Sequence, residues 1–447
     1  MRRLSYLLAL VSIVALTVIA CVREEETASG DHNGITREME DILRDHILQQ
    51  WYPLIIDSAH GGYLSDFNYK WEQQGPQHKM IVTQARHLWT TALAAEFTGD
   101  TSRYLPYARH GYAFLTSRMW DSGYGGFYNL VTREGEVIPE DGQIIKRAYG
   151  NAFALYGLSR LYKISGDQTV LDRAKSTFFW LEEQSHDPEF GGYFQFISRQ
   201  GKPYTEGYQQ TPPKDQNSSI HLLEAFTELY AVWPDERVRK RLQEMFHLVR
   251  DTMVTDRGYL RLFFRRDWTP VSYRDSSDTV REAHYYFDHV SFGHDVETAY
   301  LLLEASQALG GVEDSLTERI AKKMVDHALS TGWDQEKGGF YDRGYYFAGT
   351  DTMTIIKDSK AWWSQAEGLN TLLLMGQRYP DDPMHYFRKF REQWNYIQKY
   401  LIDRNHGGWY PGGLDQQPAM KQAQKSQIWK GPYHTTRSLV NCIRRLR

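Results

Sequence analysis

A spaced repeat constrains this chain more than any other feature. The pattern Asp-x-x-x-Gly-Gly-aromatic starts at Asp57, Asp121, Asp187, Asp334 and Asp403, and a degenerate copy, Asp256-Arg257-Gly258-Tyr259, fills the one long gap. Successive starts lie 64, 66, 69, 78 and 69 residues apart. A period of that kind means one supersecondary unit used several times, each burying its apolar face on the next. The glycine pair suits a tight turn with positive φ, and the aromatic behind it can pack back on a short hairpin.

Between the motifs, apolar residues recur at helical spacing near 36–50, 82–97, 101–118, 146–164, 167–184, 217–232, 235–252, 291–308, 314–330, 359–377, 383–400 and 428–445. Each Gly-Gly motif follows an odd-numbered window, and a longer segment leads to the next even one. Twelve helices in six pairs predict an all-α fold, an (α/α)6 barrel with short β-hairpins in the inter-helix loops. An open solenoid fits less well, because the repeats are long and their linking loops carry hairpins. No linker interrupts 35–447, so this stretch reads as one catalytic domain although 447 residues would ordinarily suggest two or three.

The N-terminus reads as an address. Arg2 and Arg3 precede an apolar run from Leu4 to Ala20, which has the make-up of an export signal. Val18-Ile19-Ala20-Cys21 resembles a bacterial lipobox, which predicts a signal peptide over 1–20, lipidation at Cys21 and a tether over 21–34. A short membrane anchor or a chance cysteine are the alternatives. The expected product is an exported lipoprotein on the periplasmic or cell-surface side, touching the membrane only through its lipid. Glu24-Glu25-Glu26 resembles sorting signals of some surface lipoproteins. Net charge is −4, and becomes −6 without the two signal arginines; no long Lys/Arg run appears, which argues against a nucleic-acid partner. Two cysteines exclude a disulfide scaffold and a Cys-rich metal site, and a lipidated Cys21 leaves Cys442 unpaired. A monomer is favoured.

Polar residues fall oddly at the start of every even window: Arg86 beside Trp89; Tyr149; Asn217 with His221; His294 with Glu297; Trp362, Trp363 and Glu367; Trp429, Tyr433 and His434. Residues spaced i, i+3 or i, i+4 share one helix face. A closed ring would set all six groups around one mouth. His60, His406, His284 and His289 read as loop residues without a role. No His-Glu-x-x-His helix, phosphate loop or Gly-x-Ser-x-Gly elbow is present. The His294/Glu297 pair could hold a metal only with ligands from elsewhere, so no metal or cofactor is expected.

These segments resemble the N-acylglucosamine 2-epimerase superfamily, and within it the cellobiose 2-epimerases. The resemblance rests on Gln84-Ala85-Arg86 with Trp89, on Tyr149-Gly150-Asn151-Ala152-Phe153, and on Asn217 through His221-Leu222-Leu223-Glu224-Ala225. Ser291-Phe292-Gly293-His294-Asp295-Val296-Glu297, Trp362-Trp363-Ser364-Gln365-Ala366-Glu367 and Trp429-Lys430-Gly431-Pro432-Tyr433-His434 carry it furthest. It implies an (α/α)6 barrel that inverts C2 of the reducing-end sugar of a β-1,4-linked disaccharide such as cellobiose or mannobiose, without added cofactor. Ser219 departs from the pattern where a further His is common, and Tyr300 where Trp is common.

Inversion at C2 needs an open-chain aldose, a base on one face and an acid on the other, and two histidines suit that work. Arg86 would hold the enediolate charge. Asp295 and Glu297 would favour protonated His294, whereas Lys430 and Arg437 would favour neutral His434. His434 is therefore the expected base and His294 the acid in one direction, with Glu297 beside them. The resemblance further implies that His221 and Asn217 bind the reducing sugar or help open its ring. It also implies that Tyr149 is a substrate contact, that Trp362, Trp363 and Trp429 cradle sugar faces, and that Glu367 accepts hydroxyl hydrogen bonds. An N-acylglucosamine epimerase or aldose–ketose isomerase stands nearest as an alternative. An (α/α)6 glycoside hydrolase or lyase using Glu297 and Glu367 as its carboxylates, and a glycan-binding lipoprotein, are more distant.

Overall fold

The computed structural model describes residues 32–311 and 314–447. The expected signal peptide, Cys21 and most of the tether lie outside the described residues. Residues 32–34, expected in the tether, are already helical, with Thr36 Oγ1 donating to the His32 carbonyl at 2.7 Å.

Two kinds of helix follow from two kinds of sequence. α2 (Ile81–Thr98), α4 (Ala148–Ser165), α6 (Gln216–Val232), α9 (Phe292–Ala308) and α11 (Trp362–Arg378) are rich in apolar and small residues all round and are buried along most of their length; α13 (Tyr433–Leu446) is buried likewise but carries Arg437, Arg444 and Arg445. The others carry a single apolar stripe. α5 (Gln168–Gln184), for example, buries Val170, Leu171, Ala174, Phe178 and Leu181 and leaves its far face polar. A helix apolar on all sides must sit between neighbours, and a striped one covers a surface. The structure obeys this. These six buried helices pack each on the next, and α13 returns to α2, which closes an inner ring. α3 (101–119), α5, α7 (236–253), α10 (Asp314–Thr331) and α12 (Tyr386–Tyr400) each pack on the inner helix before them, and α1 (32–51) covers α13. The fold is the expected (α/α)6 barrel. One further helix, α8 (Asp278–Asp288), escapes sequence reading because it buries none of its residues and so shows no core periodicity.

The strands stitch neighbouring repeats together. β1 (Lys79–Met80) pairs antiparallel with β2 (Leu130–Val131), β3 (Ile145–Arg147) with β4 (Phe196–Ser198), and β5 (Lys214–Asp215) with β6 (Phe263–Phe264). β7 (Val290–Ser291) pairs with β8 (Arg343–Tyr346), which folds back on β9 (Met353–Lys357). Single bridges, Ala361 to Gly412 and Phe67 to Ser426, complete the circuit around one end of the ring.

The Gly-Gly motif explains itself in these terms. Gly61 and Gly62 both have positive φ, and a Cβ on Gly62 would stand 2.7 Å from Gln84 Oε1. That amide is needed there: Gln84 on α2 accepts from the Tyr63 amide at 2.8 Å and donates to its carbonyl at 2.7 Å, pinning motif to inner helix. The motif aspartate meets a lysine at the foot of an inner helix. Lys79–Asp57 is 2.9 Å, Lys146–Asp121 3.0 Å, Lys214–Asp187 3.0 Å, Lys360–Asp334 2.7 Å and Lys425–Asp403 2.6 Å, every lysine side chain fully buried. Lys79 also donates to the Gly61 and Arg133 carbonyls, at 2.6 and 2.7 Å, so its remaining protons are satisfied. A buried charge is tolerated only when paired and hydrogen-bonded in this way. In the degenerate copy Thr255 occupies the aspartate's place, its amide donating to the Tyr259 carbonyl at 2.8 Å. Val290 occupies the lysine's place in the strand pairing. Both charges are gone together.

Candidate active site

Because the inner helices start at one end of the ring, their first turns converge there. Arg86, in the second turn of α2, donates from Nη2 to the Tyr149 hydroxyl at 3.0 Å, and its guanidinium lies 4.2 Å from the Phe153 ring centre. On α6, His221 sits 5.3 Å from Tyr149 between ring centres, and its Nδ1 is 2.9 Å from Glu224 Oε2. On α9, His294 has Nδ1 2.8 Å from Ser291 Oγ. The Trp363 ring lies 4.7 Å from the His294 ring and 5.8 Å from that of His434. His434 Nδ1 is 2.5 Å from Glu367 Oε1.

Beneath them lies a guanidinium that the sequence reading treats only as a charge near His434. Arg437 is hydrogen-bonded to Glu224 and Glu297 and, at 2.7 Å, to Glu367. The Tyr433 hydroxyl donates to Glu224 at 2.7 Å. One cation thus gathers three buried carboxylates; Glu224 and Glu367 each hold a histidine and Glu297 stands one turn from His294. The signal in the sequence is its spacing: Arg437 follows His434 by one turn on an otherwise closed inner helix. Ligand atoms of Glu297, Glu367 and His434 come within 4.8 Å of one another, a spacing compatible with a metal ion. The guanidinium, however, already takes up Oε1 of both carboxylates and supplies the positive charge the cluster needs.

The electrostatics revise one expectation. Asp295 does not face His294; its Oδ1 accepts from the Leu260 amide at 2.9 Å, and burial pushes its carboxyl well above the usual range. Burial, with His221, His289, His434 and Arg343, holds His294 well below the ordinary histidine value. It is therefore not kept protonated by its sequence neighbours. Burial and the charges of Arg86 and Arg437 likewise hold His434 neutral. Lys430 is occupied elsewhere, donating to the Trp409 and Lys425 carbonyls at 3.0 and 2.6 Å. Burial would raise Glu224, but Arg437, His221 and Tyr433 outweigh it and bring it to about 2. Burial raises Glu367, with Arg437 opposing.

A cavity of about 470 Å³ opens above this cluster and touches it at His294. Asn217, Trp362 and Trp363 line it, together with Asp215, Tyr286, His289, Ser291, Arg343 and Lys357. The structure thus gathers Arg86, Tyr149, His221, His294, Glu297, Trp363, Glu367 and His434 in one cluster and sets Asn217 and Trp362 in the wall above it. Trp429 stands apart. It is 51 % exposed on the loop before α13, not within the helix, and does not line the cavity. Two histidines read as loop residues also differ: His284 lies on α8, stacked 4.2 Å from Tyr273, and His289 ends that helix in the cavity wall.

The model of the N-acylglucosamine 2-epimerase family matches residues 62–438, which span five inner helices and the start of α13. The chain belongs to that family. It is 29% identical to a cellobiose 2-epimerase of Ruminococcus albus, over 91% of this chain and 98% of the relative. It is 26% identical to one of Bacteroides fragilis, over 92% and 98%. The solved cellobiose 2-epimerase of Bacillus thermoamylovorans superposes with a TM-score of 0.80 at 25% identity, covering 92% of this chain and all of that one. The protein therefore stands among the carbohydrate epimerases.

Proposed function

We propose that the protein inverts C2 of the reducing-end residue of a β-1,4-linked disaccharide. Two buried imidazoles, 4.7 and 5.8 Å from the Trp363 ring, with the Arg86 charge acting on His434, carry this reading. His434 takes the C2 proton at Nε2, and the imidazolium that forms is steadied by Glu367 at Nδ1. The electrons pass to the carbonyl oxygen, and Arg86 holds the resulting enediolate. In this direction His294, oriented by Ser291, must enter as the imidazolium; it gives its proton to the opposite face of C2 and is left neutral, while His434 is left protonated for the reverse direction. Arg437 acts through others, keeping Glu224, Glu297 and Glu367 in place. The hydrolase alternative loses support, because Glu297 and Glu367 are buried and bound to one guanidinium instead of flanking an open bond.

The test is NMR of cellobiose, mannobiose and N-acetylglucosamine incubated with the protein in heavy water. A new epimer with deuterium at C2 is expected from a disaccharide; His434→Gln should abolish epimerisation and leave exchange only in the epimer that His294 serves. Exchange left intact for both epimers in His434→Gln overturns the two-histidine scheme; a ketose product or released monosaccharide overturns the epimerase reading.

A further inference from the structure

The cavity wall carries one cation that nothing in the fold uses. Arg343 lies in β8 directly across from Ser291, the residue whose hydroxyl meets His294. Residues opposite each other on antiparallel strands have adjoining side chains. Leu130, Phe196 and Phe263 hold the corresponding places in the three preceding strand pairs, and Gly412 does so in the bridge that follows. Only in the repeat that has lost its Asp–Lys pair is this position charged. Arg343 and Lys357 are paired again across β8 and β9, and both line the cavity. The ladder is bulged between Arg343 and Gly344, and a bulge re-aims the side chain it carries. Gly344 itself leaves no room for a side chain: a Cβ there would stand 2.3 Å from Met353 Sδ and 2.9 Å from Phe292 Cζ.

The neighbouring carboxylates are engaged elsewhere. Asp342 is 3.2 Å from Lys357 Nζ and accepts from the Ala361 amide at 2.9 Å. Asp215 caps α6, accepting from the Ser218 amide at 3.2 Å, and the guanidinium that acts on it is Arg147. Among the described residues Arg343 has neither an ion pair nor a hydrogen bond. Its charge is nevertheless felt at His289 and His294. A planar guanidinium with unused donors beside a sugar cavity is fitted to an oxyanion.

From this we infer that Arg343 forms an anion subsite beside His294, so that the preferred substrate is an acidic saccharide whose second residue carries a carboxylate or an ester sulfate. The inference rests on the epimerase reading. It is tested by comparing kcat/KM for cellobiose, for its analogue with glucuronic acid as the non-reducing residue, and for cellobiose sulfated on that residue. At least a tenfold preference for one of the acidic sugars is expected; which of them is preferred tells carboxylate from sulfate. The preference should collapse to about one in Arg343→Gln, invert in Arg343→Glu, and shrink as salt is raised. Equal rates on acidic and neutral sugars, or a preference unchanged by Arg343→Gln, overturn it. Calorimetry of the same sugars binding to both proteins separates the two readings. Acid-selective binding lost in Arg343→Gln without turnover sinks the epimerase reading alone, and binding indifferent to charge sinks the subsite.

Discussion

Five repeats close on a buried lysine–aspartate pair, and the fourth closes on Thr255 and Val290. The same turn and strand pairing survive both solutions, so the charge pair is a device for holding the ring and not a condition of the fold. Buried ion pairs commonly have this standing: breaking one is costly, while replacing both members by apolar groups is not. What the fourth repeat gains in exchange is α8, the β8–β9 hairpin and Arg343. His289, Tyr286 and Arg343 all enter the cavity from there. Departures from regularity in a repeated fold are where function is expected to lie, and this ring follows that rule.

The largest test of the contrast is to move one solution onto the other. Lys214→Met strands Asp187 beside Arg266 and should cost about 3–5 kcal/mol in urea unfolding. Lys214→Val with Asp187→Thr, copying the fourth repeat, should recover most of that loss, to within about 1–2 kcal/mol of the original. A double variant no more stable than the single one would show that the two closures are not equivalent.

Acid should tell the buried histidines from the clamps by pH. Burial brings His289 and His327, both in the fourth repeat, to about 4, and His87 in α2 to about 3. Between pH 6.5 and 4 the unfolded chain therefore binds protons that the folded one does not, and stability falls as the pH falls, by at most about 1.4 kcal/mol per unit for each histidine. In the clamped repeats, Asp121 and Asp187 lie at about 2, because Lys146 and Lys214 with their arginine partners outweigh burial. Their contribution is complete above about pH 4 and is lost only below it. His327→Gln should flatten the slope of Tm between pH 6.5 and 4, a range in which the clamps add no slope. A slope unchanged in His327→Gln would show that this histidine takes up its proton in the folded protein as readily as in the unfolded one. The smallest effect belongs to Trp429. Standing half-exposed outside both regions, it should change stability by no more than about 0.5 kcal/mol as Trp429→Ala, and a fall in Tm above about 2 °C would place it in the packing after all.

The helices were legible because the ring needs two burial patterns, and each leaves its own period in the sequence. The observed starts differ from the expected ones by a few residues, most at α13, where Gly431-Pro432 delays the helix to Tyr433. α8 left no trace because it contributes nothing to the core. The lysine of each clamp was readable in principle, lying 22 to 27 residues after its aspartate and, at Lys79, Lys146, Lys214 and Lys360, two residues before an inner helix. What sequence distance could not give was direction. Asp295 is the neighbour of His294 in the chain and yet serves Leu260, while the groups that act on His294 come from α6, α13, the end of α8 and β8. Arg343 was hidden for the same reason: its meaning lies across a strand pair, not along the chain.

The bridge between Phe67 and Ser426 has a consequence for how the molecule is made. Ser426 Oγ donates to the Ser65 carbonyl at 2.6 Å, joining residues 361 apart in the chain. A polypeptide leaving the ribosome from its N-terminus must carry the apolar flank of α2 uncovered until α13 emerges. Contacts this distant are slow to form. Through most of its synthesis the nascent protein is an open crescent, and Tyr433, His434 and Arg437, on the last helix to arrive, reach the other histidines only when that crescent shuts.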